Sequence, residues 1–417
     1  MDIKVTPSVA AGEIIAPPSK SFAHRYLIAA FLSGKKCTVE NIGGSDDVSA
    51  TLSAIERLGA VVKKSDNAAE ILGRKKVLKA TVDCGESGST LRFLLPVACA
   101  LGINAEFIGK GRLLDRPIDG LAETLAQGGA KVDGHKTSGK LKSGRYTVDA
   151  GVSSQFITGM LFALSVLDGE SELIMKGEPV SAGYIGITLD VLRNFGAVIE
   201  KNGNVFTVRR GVSAENGGSI ARRFAVEGDW SGAAFPLSFA ALCGKITVYG
   251  LKYPSLQSDV KIIDILRGFG AKVTFTGDGV TVEKDEFRPI KVDCENTPDI
   301  AQIVSVLSAF AEGKSEITGI ERLRIKESDR INAIITTLNA AGIKAEYDGK
   351  TLTIAGGKPH GGIFFGGKDH RTVMSAAVLC SAASGDSVIK DAGYYAKSYP
   401  AFIDDMNKTG AKLYVGI

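Results

Sequence analysis

The sequence predicts an α/β fold built from six copies of one repeat of about 70 residues. Three observations carry this prediction. A phrase that ends a helix, passes through glycine and enters a β-like stretch recurs six times. Two helix starts precede each of these glycines. The phrases keep the same phase along nearly the whole chain, which indicates internal repetition rather than chance.

The glycines mark the points where a helix ends and a strand begins. Representative phrases are "IERLGAVV" at 55–62 and "ILRGFGAKV" at 265–273. Glycine is preferred just after a helix because it adopts left-handed backbone angles without strain. The six positions are Gly59, Gly129, Gly196, Gly270, Gly342 and Gly410.

Each repeat contains two helix starts. The first opens with Ser, Asp, Gly or His and turns apolar at once, as an N-cap and first turn do. These first starts lie at 18–25, 86–93, 153–160, 228–235, 297–304 and 369–376. The second starts lie at 45–49, 115–119, 181–185, 258–262, 327–331 and 396–400. The repeat is therefore predicted to be βαβαββ, and six repeats most simply make two lobes of three. The N-terminal strand is able to pair with either lobe.

Composition narrows the class of protein. The chain has 417 residues, of which 44% are hydrophobic and 23% charged, so two ordinary domains with large cores are expected. A net charge of +4 without a basic stripe argues against a nucleic-acid partner. The longest apolar run, 93–103, is too short to span a membrane. The six cysteines are scattered without a CxxC pair, which predicts a reducing, cytoplasmic setting and no zinc site.

Cations are unusually frequent at the predicted helix starts. A helix N-terminus carries partial positive charge and disfavours a cation by about 0.3–1 kcal/mol. We therefore predict a ligand with several negative groups, held where helix starts converge. The alternative for any single side chain is that it extends into solvent. The cations are Lys20, Arg25, Arg92, Arg116, Lys326, Arg330, Arg371 and Lys397.

Two carboxylates at similar positions are candidate acid–base groups. Glu327 lies beside Lys326 and Arg330, whose charges favour its ionised form. Asp299 follows a proline at a helix start, where an ordinary N-cap is the alternative interpretation. His370 is either a proton carrier or a cap. The sequence contains no phosphate loop of the GxxxxGK[ST] type, no GxSxG motif and no metal-ligand cluster.

Several motifs occur in order along the full length. They are "PPSKSFAHR" (17–25), "GESGSTLRF" (85–93), "DRPIDGL" (115–121), "SSQFITG" (153–159), "EGDWSGAAF" (227–235), "PDIA" (298–301), "LRIKESDR" (323–330), "DHR" (369–371) and "AKSYPAF" (396–402). With these motifs the chain resembles the EPSP synthase family of enolpyruvyl transferases. The resemblance implies a two-lobed inverse α/β barrel-like fold, with three units per lobe. It places 19–227 in one lobe and 1–18 plus 228–417 in the second lobe, with the active site in the cleft between them.

The resemblance also implies an activity. The family transfers the enolpyruvyl group of phosphoenolpyruvate to the 5-hydroxyl of shikimate 3-phosphate and releases phosphate, by addition and elimination through a tetrahedral intermediate. This reaction belongs to the shikimate pathway of aromatic amino acid biosynthesis and needs no cofactor or metal. A cytoplasmic monomer that contacts neither membrane nor nucleic acid is expected.

Residue roles follow from the same resemblance. Asp299 is expected to be the base at the 5-hydroxyl and Glu327 the proton carrier at the methylene carbon, with Lys20 assisting. The expected ligands of shikimate 3-phosphate are Lys20, Ser21, Arg25, Ser153, Ser154, Ser181, Tyr184, Asp299, Arg322 and Lys326. Those of phosphoenolpyruvate are Lys20, Gly88, Arg116, Gln155, Arg330, Arg371 and Lys397. Arg92 and His370 are further candidates.

Some positions depart from the family pattern, and two rival functions remain open. Glu86 and Arg322 both stand where members of the family carry Asn, whereas the retained Gly88 implies sensitivity to glyphosate. The first rival is the sister transferase that acts on a UDP-amino sugar, but its mobile loop carries a cysteine that "GRLLDRP" (111–117) lacks. The second is a non-catalytic polyanion-binding scaffold, which would have no use for the two carboxylates.

Overall fold

A computed structural model describes residues 1–212 and 222–416 of the chain. The chain divides into two compact units. One, here called the inserted unit, is Lys20–Val226. The other, the flanking unit, combines Met1–Ser19 with Glu227–Ile417. None of the described helices is long and apolar enough to cross a membrane.

The described residues form twelve α-helices, six in each unit. They are α1 (Lys20–Ser33), α2 (Asp46–Arg57), α3 (Gly88–Leu101), α4 (Asp119–Ala126), α5 (Ser154–Leu164), α6 (Gly183–Asn194), α7 (Trp230–Cys243), α8 (Ile262–Phe269), α9 (Ala301–Phe310), α10 (Arg330–Ala340), α11 (His370–Ala382) and α12 (Phe402–Lys408). Short 3-10 helices cover Leu113–Asp115, Ser258–Lys261, Glu321–Ile325 and Ala392–Lys397. Helices therefore begin at or within a few residues of all twelve predicted starts.

The strands alternate with these helices. They are β1 (Ile3–Thr6), β2 (Ala10–Ile15), β3 (Cys37–Glu40), β4 (Ala60–Ser65), β5 (Ala68–Arg74), β6 (Lys79–Asp83), β7 (Asn104–Ile108), β8 (Lys131–Asp133), β9 (Lys136–Ser138), β10 (Arg145–Asp149), β11 (Ser171–Lys176), β12 (Val198–Asn202), β13 (Val205–Arg210), β14 (Arg222–Ala225), β15 (Gly244–Tyr249), β16 (Lys272–Thr276), β17 (Gly279–Glu283), β18 (Lys291–Asp293), β19 (Gly313–Thr318), β20 (Lys344–Tyr347), β21 (Leu352–Gly356), β22 (Ile363–Phe365), β23 (Ser387–Lys390) and β24 (Lys412–Val415).

The described strands make six four-stranded sheets with one shared topology. In the sheet ordered β10-β11-β13-β12, β10 runs parallel to β11, which pairs antiparallel with β13, which in turn forms a hairpin with β12. The parallel pair needs a crossover, and α5 supplies it. The six sheets confirm the predicted βαβαββ repeat, and three lie in each unit.

Two sheets take their first strand from a distant part of the chain. The β14 strand pairs in parallel with β3, and β2 pairs in parallel with β15. The β1 strand completes the sixth sheet between β23 and β24. The N-terminal strands, whose partner the sequence left open, thus belong to the flanking unit.

The six repeat glycines all adopt positive φ angles. They range from +79° at Gly342 to +111° at Gly59. At Gly270 an added Cβ would lie 2.0 Å from the carbonyl oxygen of Glu286, so no larger residue fits there. The predicted switch from helix to strand at glycine is confirmed at each of these positions.

Within each unit, the first helix of every repeat forms the centre of the core. Residues on almost every face of α1, α3, α5, α7, α9 and α11 are buried. The second helices, such as α2 and α10, bury only one face. A helix that is buried all round must meet any ligand at its end. Several candidate site residues accordingly lie at or next to the N-termini of the central helices, among them Lys20, Gly88 and Arg371.

Candidate active site

The N-termini of the three central helices of the flanking unit meet in one hydrogen-bond network. Arg371, in the first turn of α11, donates from Nη1 to the carbonyl oxygen of Ser231 in α7, at 3.2 Å. Its Nη2 lies 3.5 Å from Oδ2 of Asp299, two residues before α9 begins. The predicted convergence of helix starts therefore occurs within this unit.

Arg330, the first residue of α10, is the centre of this network. Its Nε donates to Asp369 Oδ2 at 2.8 Å, and its Nη2 donates to Glu327 Oε2 at 2.9 Å. Its Nη1 lies 3.4 Å from Asp299 Oδ1. Burial alone would lower the pKa of Arg330, but the three carboxylates together raise it. Arg330 is thus a permanently charged group that fixes three acids.

Asp299 faces these two arginines instead of capping its helix. The N-cap position of α9 is Ile300, which offers no side-chain hydrogen bond. The Asp299 side chain keeps 26% of its surface exposed. The capping interpretation of Asp299 is therefore wrong, and its carboxylate is open to a ligand while held by Arg330 and Arg371.

The polar residues of "RIKESDR" (324–330) make contacts with different partners. Asp329 caps α10 by accepting a hydrogen bond from Asn332 N at 3.1 Å, and it also pairs with exposed Arg324 at 3.0 Å. Ser328 donates from its hydroxyl to Asp369 Oδ2 at 3.0 Å. Glu327, with 16% of its side chain exposed, is tied to Arg330. Two residues of the segment, Ser328 and Arg330, therefore hydrogen-bond to Asp369.

Lys20 is paired in the inserted unit. Its Nζ lies 2.7 Å from Asp47 Oδ2, and the two side chains are 18% and 8% exposed. Lys20 is the first residue of α1 and Asp47 lies in the first turn of α2. Asp47 therefore supplies the negative charge that the N-terminus of α1 lacks, and it holds Lys20 in place.

Arg25 is buried among neutral groups. It donates to Thr188 Oγ1 at 2.8 Å and to the carbonyl oxygens of Ser21 at 2.8 Å and Tyr184 at 3.1 Å. Its guanidinium lies 5.0 Å from the centre of the Phe93 ring. Burial lowers the pKa of Arg25 to about 9. Among the described residues no carboxylate pairs with it, so its charge is available to an anion.

Hydrogen bonds between polar side chains connect the start of α3 to the start of α5. Arg92 donates from Nη1 to Gln155 Oε1 at 2.8 Å and from Nη2 to the carbonyl oxygen of Pro117 at 2.9 Å. Gln155 in turn donates from Nε2 to Ser89 Oγ at 3.1 Å. Ser153 caps α5 by accepting from the Gln155 amide at 3.3 Å. Gln155 is thereby fixed at a helix start, as a ligand-binding amide requires.

Gly88 packs directly against Arg116. A Cβ added to Gly88 would lie 2.4 Å from Nη1 of Arg116 and 2.9 Å from its Cζ. Only glycine therefore lets the guanidinium occupy this place beside the first residue of α3.

The other predicted site residues lie at helix or turn boundaries of their own units. Ser154 begins α5, and Ser181 is buried with a positive φ of +52° two residues before α6. Lys326 follows the 3-10 helix at 321–325, in which Arg322 donates to the Glu295 carbonyl oxygen at 3.2 Å. Lys397 ends a 3-10 helix and is buried. His370 begins α11, but the cap is Asp369, so the capping interpretation of His370 is wrong.

The structure corrects one inference from charge. The cations at helix starts were expected to need ligand anions, yet protein carboxylates already pair with Lys20, Arg330 and Arg371. The partners Asp47 and Asp369 were not predicted as site residues. Asp47 lies in a stretch interpreted only as a helix start, and Asp369 lies in "DHR", of which only His370 and Arg371 were candidates. Local sequence does not reveal which distant side chain an aspartate meets. Asp259, in the helix start at 258–262, is a third aspartate that was not predicted as a site residue, and the charge of Asp299 acts on it.

Among the residues that the structure describes, no group of three or more His, Cys, Asp or Glu side chains is arranged to hold a metal ion. Buried guanidinium groups beside the carboxylates of Asp299 and Glu327 are an arrangement typical of an α/β enzyme for anionic substrates.

Comparison with known sequences identifies the family. The profile of the family described as EPSP synthase (3-phosphoshikimate 1-carboxyvinyltransferase) matches residues 5–406. The 3-phosphoshikimate 1-carboxyvinyltransferase of Pyrococcus abyssi is 40% identical over 402 residues, covering 95% of this chain and 94% of its own. That of Clostridium beijerinckii is 38% identical over 431 residues, covering 98% and 97%. The chain belongs to the EPSP synthase family, which confirms the resemblance.

Solved structures agree on the fold. EPSP synthase from Acinetobacter baumannii superposes with a TM-score of 0.81 at 23% identity, covering 99% of both chains. The enolpyruvyl transferase NikO from Streptomyces tendae gives a TM-score of 0.75 at 16% identity, covering 99% and 98%. The predicted fold class is confirmed.

Proposed function

We propose that this chain transfers the enolpyruvyl group of phosphoenolpyruvate to the 5-hydroxyl of shikimate 3-phosphate and releases phosphate. The observation that carries the proposal is the pair of carboxylates, Asp299 and Glu327, fixed on the same buried Arg330. Such a reaction needs one group that accepts a proton and one that donates a proton, held beside cations that bind the substrate. The relatives named for this reaction support the same activity.

The first half of the reaction is an addition. Glu327 in its protonated form donates a proton to the methylene carbon of phosphoenolpyruvate, which leaves C2 electron-poor. The 5-hydroxyl oxygen then bonds to C2 while Asp299 accepts the hydroxyl proton. The result is a tetrahedral intermediate that carries phosphate, carboxylate, methyl and the 5-oxygen of the shikimate ring on one carbon.

The second half is an elimination. The C2–O bond to phosphate breaks, the departing phosphate takes up the proton that Asp299 accepted, and the methyl carbon returns a proton to the Glu327 carboxylate, so the vinyl ether and inorganic phosphate are formed and both acids are restored. Arg330 and Arg371 are proposed to bind anionic groups of phosphoenolpyruvate, because both are buried and fixed at helix starts. Lys397 is proposed as a further cation for the same substrate. Their charges also stabilise the departing phosphate.

The phosphate of shikimate 3-phosphate is assigned to Arg25. This guanidinium is buried with neutral acceptors, so a bound phosphate would supply the missing negative charge. Hydroxyl groups near the starts of α1, α5 and α6 provide further donors for an anion. In the inserted unit these are Ser21, Ser153, Ser154 and Ser181, with Tyr184 beside Arg25. The remaining predicted ligands, Lys20, Gly88, Arg92, Arg116, Gln155, Arg322, Lys326 and His370, keep the roles that the family resemblance implies.

A cytoplasmic, monomeric enzyme without a cofactor is proposed. The six cysteines are free thiols, five of them buried, and burial raises the pKa of Cys37 and Cys99 to about 12. Such thiols are suited to a reducing compartment. Light scattering coupled to size-exclusion chromatography tests the oligomeric state: a mass of about twice 43.7 kDa contradicts the monomer.

A substrate-choice assay tests the proposed activity. The chain is mixed with phosphoenolpyruvate and, in separate reactions, shikimate 3-phosphate, a UDP-amino sugar or no acceptor, and phosphate release is followed. Release only with shikimate 3-phosphate is expected. Release only with the UDP-amino sugar would assign the sister activity, and no release from folded protein would favour a binding scaffold.

A further inference from the structure

Asp259 is a buried acid of the flanking unit that the proposed mechanism does not use. It lies in the 3-10 helix Ser258–Lys261 and is 2% exposed. Its Oδ2 accepts a hydrogen bond from the hydroxyl of Ser231. Its Oδ1 is buried and has no hydrogen-bond partner among the described residues. A buried carboxyl with one oxygen unsatisfied favours its neutral form.

Charged and titratable groups face Asp259 from several elements. Asp229 lies at the start of α7, Asp299 before α9 and Arg371 at the start of α11. Cys294, which follows β18, is close enough that the charge of Asp259 helps to raise the pKa of its thiol. Burial raises the pKa of Asp259 from 3.8 to about 7; the charges of Asp299 and Asp229 raise it too, while the Ser231 hydroxyl and Arg371 oppose them. Asp259 therefore changes charge in the neutral range.

Hydrogen bonds connect Asp259 to Asp299 through two intermediates. Ser231 donates its hydroxyl to Asp259 and accepts at its carbonyl from Arg371 Nη1, whose Nη2 reaches Asp299. Electrostatic coupling between two acids is mutual, so the charge of Asp259 makes Asp299 harder to ionise as well. When Asp259 loses its proton, Asp299 becomes a stronger base. When Asp259 is neutral, Arg330 and Arg371 favour the ionised form of Asp299, which is then a weaker base.

We propose that Asp259 is a positioning residue that holds either a proton or a negative charge near Asp299 and so sets how strongly Asp299 attracts the proton of the acceptor hydroxyl. This inference rests on the proposed function, because it takes Asp299 as the base. It assigns Asp259 no contact with substrate. The turnover rate should therefore depend on the charge of Asp259, and substrate affinity should not.

The pH dependence of turnover tests the inference. In the wild type, kcat is expected to rise about three- to tenfold between about pH 6 and about pH 8, as Asp259 ionises. Asp259→Asn keeps the shape but not the charge, and its kcat should stay near the low-pH value of the wild type. KM for both substrates should change less than about threefold. Asp264→Asn is the matched control, because Asp264 is exposed in α8.

The second variant is Ser231→Ala, which keeps both acids and removes the donor to Asp259. Loss of this hydrogen bond disfavours the ionised form, so the rise in kcat should move to higher pH. A pH profile of Asp259→Asn that superimposes on the wild type overturns the inference. If Asp259→Asn fails to fold, an unshifted Ser231→Ala profile overturns it instead.

A carboxyl titration separates this inference from the proposed function. ¹³C NMR of the substrate-free wild type should reveal one aspartate that titrates near neutral pH, and Asp299→Asn should shift that titration to lower pH. A wild type that releases no phosphate but passes this test refutes the proposed reaction alone. A wild type that turns over while Asp259 titrates in the ordinary aspartate range refutes only the role of Asp259.

Discussion

Arg330 donates two hydrogen bonds to Asp369, from Nε to Oδ2 at 2.8 Å and from Nη2 to Oδ1 at 3.3 Å. Asp369 is completely buried and also caps α11 through the Arg371 amide at 2.9 Å. One pair thus fastens the start of α10 to the start of α11. It also fixes the orientation of the guanidinium that holds Glu327 and Asp299.

The first prediction concerns this pair. Asp369→Ala leaves Arg330 with fewer acceptors and removes the α11 cap, so the free energy of unfolding should fall by about 3–5 kcal/mol. Urea unfolding followed by circular dichroism measures the loss. Asp386→Ala is the matched control, because its pairing with Lys4 is exposed on both sides and should contribute little. Equal stabilities for the two variants would contradict the role of Asp369.

Asp299 provides a catalytic prediction. Asp299→Ala should bind both substrates but lose turnover by a factor of at least about 100, because the proposed mechanism has Asp299 accept the hydroxyl proton. Steady-state kinetics and calorimetric titration separate the two effects. Asp299→Asn removes the charge at constant shape and should be similarly slow. Turnover near that of the wild type would remove Asp299 from the mechanism.

Arg25 provides a binding prediction. Arg25→Lys keeps a charge but loses the planar set of donors, so KM for shikimate 3-phosphate should rise at least about tenfold, with little change in KM for phosphoenolpyruvate. Arg193→Lys in α6 is the matched control, since Arg193 is exposed. An unchanged KM for shikimate 3-phosphate in Arg25→Lys would place the phosphate elsewhere.

A further prediction concerns the close packing of Gly88 against Arg116. In Gly88→Ala the new Cβ displaces the Arg116 guanidinium, so KM for phosphoenolpyruvate should rise about tenfold while the fold persists. Gly186→Ala, in α6, is the control, because nothing lies within 4 Å of its Cβ position. Equal kinetics in both variants would show that the position of Arg116 does not matter for binding.

His24 links stability to pH. Burial lowers the pKa of His24 from 6.5 to about 3, and its Nδ1 lies 2.6 Å from Thr51 Oγ1. Between these values the unfolded chain binds a proton that the folded chain does not, so this stability is present above about pH 6.5 and is lost as pH falls.

His24→Gln should reduce the pH slope of the unfolding free energy by up to about 1.4 kcal/mol per pH unit between about pH 6 and about pH 4. Denaturant unfolding at several pH values gives the slope. The exposed His360, replaced in His360→Gln, is the control and should leave the slope unchanged. The same slope in His24→Gln and the wild type would mean that His24 is protonated in the folded chain.

The sequence predicted the repeat because its signals are local. Gly342, for example, follows a helix whose apolar residues Ile331, Ile334 and Leu338 are all buried, as the spacing of one helix face requires. The origin of the first strand in two sheets was not predictable. Because β2 and β14 are both short strands ahead of a buried helix, either suits either sheet until tertiary packing decides.

The site was predicted less completely than the fold. Charged residues at helix starts identified Arg330 and Arg371, but the pairing of Lys20 with Asp47 joins positions 27 residues apart in different helices. Ser328 stands just before the start of α10 in the sequence, yet its hydroxyl bonds to Asp369, 41 residues away. Long-range pairing depends on packing that a single sequence does not encode in any local pattern.

Phosphorus NMR of a mixture of the chain, phosphoenolpyruvate and shikimate 3-phosphate tests whether the chain transfers the enolpyruvyl group. The phosphoenolpyruvate signal should disappear while inorganic phosphate and a phosphorylated vinyl ether of the shikimate ring appear in equal amounts. Phosphate without the vinyl ether, or no reaction from folded protein, would contradict enolpyruvyl transfer by this chain.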